Sequence, residues 1–345
     1  MVHLKALDDS DRDRIVSPET QFTDPAAVEA WDHWFRWRED GALRDLTVDE
    51  TWFRVASCIA RVEGAQAQKW ARMFTEAFSE WRLLPDPRLL RVAGTGTRLE
   101  QLEGPVAVLN AAAFVSMPGT IRASFDRRRF IDMVSLAVRL LDDVLLCHGG
   151  PPALGGLRIG VIGVADALHH LGLAYDSASA RKCAGEIASA LAEGALQGGV
   201  ELAIERGPGE GDWHEVAQAW RARGAPAALV DKVSQCGMRH AQLTAIEPQP
   251  RLAQLANNVS DALDPRIEPI PARASLRHAP GGVPILAQVE LRAAMQKWID
   301  APIDYPLVVN ADPGSEELEA LRQLALERGL RPPTVRRVGE PMSPH

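Results

Sequence analysis

Apolar positions along this chain keep helical spacing at first and then change character. From Ala26 onward, Trp31, Trp34 and Phe35 recur three and four residues apart, the period of one helix face. Thr47 and Glu50 in "TVDE" have the spacing of a capping box and predict a helix through "WFRVASCIARVEG". A third helix carries Trp70, Phe74, Phe78 and Trp81 along one stripe and stops at "LLPDP". An aromatic stripe of this kind reads as core. The pattern predicts a flexible N-terminus over 1–24 and a helical N-terminal domain over 25–95.

Beyond this, short apolar runs alternate with long amphipathic ones. "PVAVLN" and "LRIGVIG" read as buried strands, apolar throughout as parallel strands are. "RRRFIDMVSLAVRLLDDVLL" reads as a helix, and "SARKCAGEIASALAEGALQGGVELAIERG" as a long helix ending at glycine. "EVAQAWRARG", "APAALVDKVSQCG" and "LRAAMQKWID" predict further helices, and "AQLTAIEP", "YPLVVN" and "PTVRRV" further strands. "SEELEALRQLALERG" predicts a helix capped by Ser315. Alternating strands and helices predict an α/β layer with mostly parallel strands over 96–340.

The 345 residues suit one large domain or two ordinary ones. The net charge of −8 argues against a nucleic-acid partner, which favours basic faces. No apolar run reaches the length of a membrane span. The opening "MVHLKALDDSDRDR" lacks the apolar core of a secretory signal, so a cytoplasmic protein without a membrane partner is expected. Cys58, Cys147, Cys183 and Cys236 are widely spaced with no CxxC, which predicts buried thiols and no zinc site. His169 and His170 are adjacent, point about 100° apart on a helix, and cannot chelate one metal together.

The stretch "LRIGVIGVADALHHLGLAYD" (157–176) decides the functional class. "GVIGVA" lacks the GxGxxG spacing, and a helix rather than a second strand follows Gly172, so the dinucleotide-fold context fails. Gly160 and Gly163 are expected to let a helix sit close to a strand.

Taken whole, "RIGVIGVADALHHLGLAYDS" resembles the "R-I-G-L-G-V-M-G-L-A-D-A-L…L-G-I-P-Y-D-S" segment of ribonucleotide reductase large subunits. "FDRRRFIDMVSLAVRLLDDVL" is similar to the family helix that precedes it, and "CGMRHAQLTAIEP" to "G-M-R-N-A-Q-L-L-A-I-A-P". "AMQKWIDAPIDYPLVVN" and "TVRRVG" resemble the closing family stretch. That ending, with "RLLRVAGTGTR" upstream, resembles the adenosylcobalamin-dependent branch. The resemblance implies roughly half of the family's α/β barrel, about five mostly parallel strands after a helical N-terminal domain.

The departures bear on activity. The family reaction begins with a thiyl radical on a loop carrying N-x-C-x-E, and this chain has no such pattern. It passes from "AGTGTRLEQLEG" directly to "PVAVLNAAAFV", where the resemblance skips the first half of the barrel. Ala107 or a neighbour stands where a family strand carries a redox cysteine. The family's phosphate-gripping P-T-G-S turn is replaced by Pro248, Gln249, Pro250 and Arg251, and Pro250 has no N–H to donate. Pro248, Arg251 and Glu268 in "RIEPI" are what remains of a substrate site, with no catalytic and no metal-binding residue. The sequence thus predicts a non-catalytic binding or regulatory module that needs no cofactor. The alternative is one subunit of a split adenosylcobalamin-dependent reductase. Open sheet edges predict self-association or a partner subunit, and a nucleotide remains a candidate ligand.

Overall fold

A computed structural model of the chain describes residues 19–97, 104–147, 156–266, 283–303, 305–309 and 314–337. The first helix, α1 (Pro25–Ala30), is capped by the Asp24 carboxylate and opens into a wider π-type turn over Trp31–Phe35. A two-residue hairpin, β1 (Arg38–Glu39) and β2 (Ala42–Leu43), leads into α2 (Val48–Ala60). The Thr47 hydroxyl accepts the Glu50 N–H as the capping pattern predicts, but the Glu50 carboxylate reaches back to the Leu46 N–H. A 3₁₀ turn (Arg61–Gln66) connects to α3 (Ala67–Ser79).

The expected helix stop at "LLPDP" is itself a strand, β3 (Leu83–Pro85), followed by α4 (Pro87–Val92). β3 pairs antiparallel with β4 (Val106–Asn110). The hairpin strands β5 (Val115–Ser116) and β6 (Ser124–Phe125) and the helix α5 (Arg127–Cys147) follow. β7 (Arg158–Ile162) lies parallel to β4, with Val106 opposite Arg158 and Asn110 opposite Ile162. The segment 242–246, expected as a full strand, lies parallel beside β7 through one bridge, Ile159 to Thr244. Among the described residues four extended segments therefore form the layer, of which β3 runs antiparallel. No closed barrel forms among the described residues.

Among the described residues, seven further helices and two strands complete the order. They are α6 (Val164–His170), α7 (Ala178–Arg206), α8 (Trp213–Arg223), α9 (Ala227–Cys236), α10 (Pro250–Leu255), α11 (Ile285–Gln296), β8 (Leu307–Val309), α12 (Ser315–Glu327) and β9 (Val335–Arg337). β8 and β9 pair parallel as a separate ribbon. Ser315 is the first residue of α12 rather than its cap, which is Gly314.

One apolar core runs from Trp31, Trp52 and Phe78 through the β4 and β7 side chains to Leu291 and Tyr305. α5 and α7 press together at Gly194, where an added Cβ would stand 2.6 Å from the Ile131 carbonyl oxygen. The two glycines of "GVIG" serve other contacts than the expected helix-on-strand packing. Gly160 makes room for the neighbouring strand, since a Cβ there would meet the Ala245 carbonyl oxygen at 2.6 Å. Gly163 adopts a left-handed conformation (φ 68°) as the N-cap of α6, a conformation glycine takes without penalty.

Both edges of this layer are covered by the chain itself. Beyond the 242–246 segment, Oδ2 of Asp300 accepts the Leu243 N–H (3.0 Å), the Thr244 N–H (3.1 Å) and the Thr244 hydroxyl (3.1 Å). The Ala301 N–H donates to the Thr244 carbonyl at 3.1 Å. At the other edge, Leu83, Leu84 and Pro85 are buried, and proline at an edge removes a donor that another strand could use.

Candidate functional site at the strand ends

Parallel strands leave their ligand-binding crevice at the carboxyl ends. Here those ends are Asn110 of β4, Gly163 after β7, and the turn Glu247–Arg251 after the third parallel segment. A loop, 257–264, is hydrogen-bonded to the last two of them. Ser260 accepts the Gly163 N–H through its carbonyl at 2.8 Å, and Ala262 accepts the Val164 N–H at 3.2 Å. The Ser260 N–H donates to Asp166 Oδ2 at 2.7 Å. Asn257, Asn258 and the buried Ala262 all sit at positive φ, between 53° and 60°, a region alanine rarely enters. The N-terminal segment is laced to the same loop. The Thr23 N–H donates to Asn257 Oδ1 at 2.7 Å, Asn257 Nδ2 donates to the Gln21 carbonyl, and Asn258 Nδ2 to Asp24.

The phosphate-type turn is internally occupied. Its Gln249 N–H donates to Oδ1 of Asp261 at 2.7 Å. Burial pushes the Asp261 carboxyl up to about 7, opposed by that hydrogen bond and by Arg336 and reinforced by Asp264. A carboxylate thus stands where an anionic ligand would meet the backbone. Pro248 is half-buried. Arg251 is exposed and stacks over Trp34, 5.5 Å from the ring, a cation–π arrangement that points it toward the N-terminal helices. Pro248 and Arg251 thus share one turn, while Glu268 lies outside the described residues.

Behind this loop is a polar network that the sequence reading missed. Asp264 and Arg292 form a buried pair, Nη2 to Oδ2 at 2.6 Å and Nη1 to Oδ1 at 3.0 Å. The Tyr175 hydroxyl donates to the same Asp264, and burial together with that carboxylate raises the phenol well above its ordinary value. Arg292 also donates to the carbonyls of Gln288 and Pro306. Gln288 holds both backbone groups of Val308 in β8. Asp264 and Arg292 lie 28 positions apart, so no local pattern links them. The two asparagines and two aspartates of "NNVSDALD" were the available sign of a turn-rich, hydrogen-bonded loop.

The thiols are elsewhere. Cys58 is on α2, Cys147 ends α5, Cys183 is on α7 and Cys236 ends α9. Burial raises the Cys58 thiol, pushes Cys147 up to about 12 and Cys183 up to about 11, the reverse of what a reactive thiolate needs. Ala107 is fully buried in β4 between Pro85 and Ile159.

Fold and strand-end geometry define an α/β protein with a mostly parallel layer and a loop hydrogen-bonded at two of its strand ends. The family model for the ribonucleotide reductase barrel domain matches residues 105–281, just over half of the chain, from β4 to beyond the loop. The chain belongs to that family. None of the curated proteins compared with it matches.

Proposed function

We propose that this chain descends from a ribonucleotide reductase, does not itself reduce ribonucleotides, and acts as a binding or regulatory module. One observation carries the reading: none of the four cysteines stands at the carboxyl end of a strand, where the substrate crevice of such a layer lies. Ribonucleotide reduction in this family needs a thiol that can hold a radical beside the sugar and a pair that can become a disulfide. Burial on helices holds the Cys58, Cys147 and Cys183 thiols neutral. Asp261 adds a second obstacle, because a phosphate approaching the Gln249 N–H would have to displace a carboxylate.

Adenosylcobalamin belongs to the split-reductase alternative. It would need a thiol able to receive a radical at the strand ends, and the residues present do not offer one, so no step is derived through it. The purified chain, supplied with ribonucleoside di- and triphosphates, adenosylcobalamin and a dithiol, is expected to form no deoxyribonucleotide. Deoxyribonucleotide formation by the chain alone would overturn the proposal. Calorimetric titration with the same nucleotides tests the binding role, and heat saturating at one nucleotide per chain is the supporting result.

A further inference from the structure

Toward the C-terminal ends of α5 and α7, ionisable side chains from four segments meet. Glu63, on the turn Arg61–Gln66, accepts from Arg139 Nη1 and Arg206 Nη2, both at 2.6 Å. Arg139 of α5 also pairs with Glu205 of α7, and Trp70 of α3 lies 4.1 Å beneath its guanidinium. Arg206 pairs with Asp142. Asp142 Oδ1 meets His240 Nε2 at 2.7 Å and Arg239 Nε at 3.3 Å. Arg239 is anchored by the carbonyls of Arg206 and Gly207.

Asp143 is the exception. It is fully buried, and among the described residues its one ion pair is with Arg206, 2.8 Å from Oδ1 but off the line a hydrogen bond needs. Neither of its oxygens is hydrogen-bonded. Cys147 lies within its field, with Cys58 and Arg61 alongside.

Among the groups joined by these ion pairs, the charges do not cancel. Four carboxyls (Glu63, Asp142, Asp143, Glu205) face three guanidiniums (Arg139, Arg206, Arg239) and one imidazole (His240). The cluster is neutral when it holds one extra proton. Asp142, with its three partners, is well served as an anion. Asp143 is not: its one guanidinium, Arg206, is shared with Asp142 and Glu63, and a buried charge so weakly compensated is what proteins avoid by neutralising the group. We propose that a proton on the Asp143 carboxyl completes this cluster and latches the Glu63 turn of the N-terminal helices onto α5 and α7, and that losing this proton loosens the latch. Burial, with Glu63 adding to it, places the Asp143 carboxyl well above the ordinary range, at about 8, against the pull of Arg206 and Arg139.

The sign follows from proton linkage. Between pH 4 and 8 the folded chain holds a proton on Asp143 that the unfolded chain has released. Stability from this group therefore falls as pH rises through that window and is level above it. One such proton raises the unfolding equilibrium constant by up to tenfold per pH unit. Asp261, pushed up to about 7, acts in the same direction, so the quantity read is the difference between wild type and Asp143→Asn.

Urea unfolding of the full chain from pH 5 to 9 is expected to show the wild type losing stability relative to Asp143→Asn by at least tenfold between pH 6 and 8. Hydrogen exchange, corrected for intrinsic rates, should show the amides of 61–66 losing at least tenfold protection over the same range in the wild type and not in the variant. Equal pH slopes in the two proteins, or unchanged protection at 61–66, would overturn the proposal. Should Asp143→Asn fail to fold, Asp261→Asn removes the competing titration. The slope that remains must then approach one proton, and a flat profile refutes the latch.

Discussion

Asp300→Ala tests how the strand layer keeps its outer edge covered. The carboxylate serves three donors on the outermost segment of the layer, the Leu243 and Thr244 amides and the Thr244 hydroxyl. Leu243 and Thr244 are 2% and 1% exposed, so water does not replace the lost acceptor. The hydroxyl can rotate to another partner, but the two amides cannot. Each orphaned buried amide costs about 1–3 kcal/mol, which sums to about 4 kcal/mol. Burial is the leading influence on Asp300 and raises its pKa, so removing the carboxylate recovers part of this. A net loss of about 3 kcal/mol is expected, read as a lowered urea midpoint at unchanged m-value. Asp300→Asn keeps one acceptor oxygen and should lose about 1 kcal/mol. Freed strand donors also template pairing with other chains, so light scattering of the alanine variant should show association that the asparagine variant does not. An alanine variant within 1 kcal/mol of wild type and unchanged in mass would refute the edge-cap account.

Three further substitutions probe other parts of the fold. Trp52→Ala empties a fully buried site and removes the indole donor to the Thr20 hydroxyl at 3.1 Å; a loss of about 4 kcal/mol by chemical unfolding is expected. Gly194→Ala places a methyl 2.6 Å from the Ile131 carbonyl oxygen and the Val134 Cβ, and a loss of about 2 kcal/mol in thermal unfolding follows from overpacking the α5–α7 seam. Arg292→Leu leaves Asp264 buried without its cation, and a loss of about 4 kcal/mol is expected. The double variant Arg292→Leu with Asp264→Asn should recover part of that loss, and a double variant no more stable than the single one would refute the pairing.

Element types were legible wherever one face of a long segment repeats, as in α5 and α12, and α7 was legible from its length and its closing glycine. β4 and β7 were legible for a different reason, as short runs apolar throughout. β3 was not, because three residues ending in proline carry too little pattern and it is their pairing with β4 that makes them a strand. Segment 242–246 read as a strand and became an extended edge held partly by a side chain, Asp300, that lies more than 50 positions away. The turn Pro248–Arg251 was found from its resemblance to a known motif, whereas its occupant, Asp261, required the folded loop to be seen. The same limit hid the Asp143 cluster, whose members come from four segments and whose meaning is a sum of charges.

The hydrogen bond from Thr23 to Asn257 joins positions 234 apart. During synthesis the N-terminal segment emerges early and must wait for more than two hundred further residues before its partner exists. Contacts of such sequence separation form late because the intervening chain must first be closed into a loop. The lacing of residues 21–24 over the strand ends is therefore among the last events of folding, and slow translation through α7–α10 would prolong the interval in which that end of the molecule stays open to proteases and chaperones.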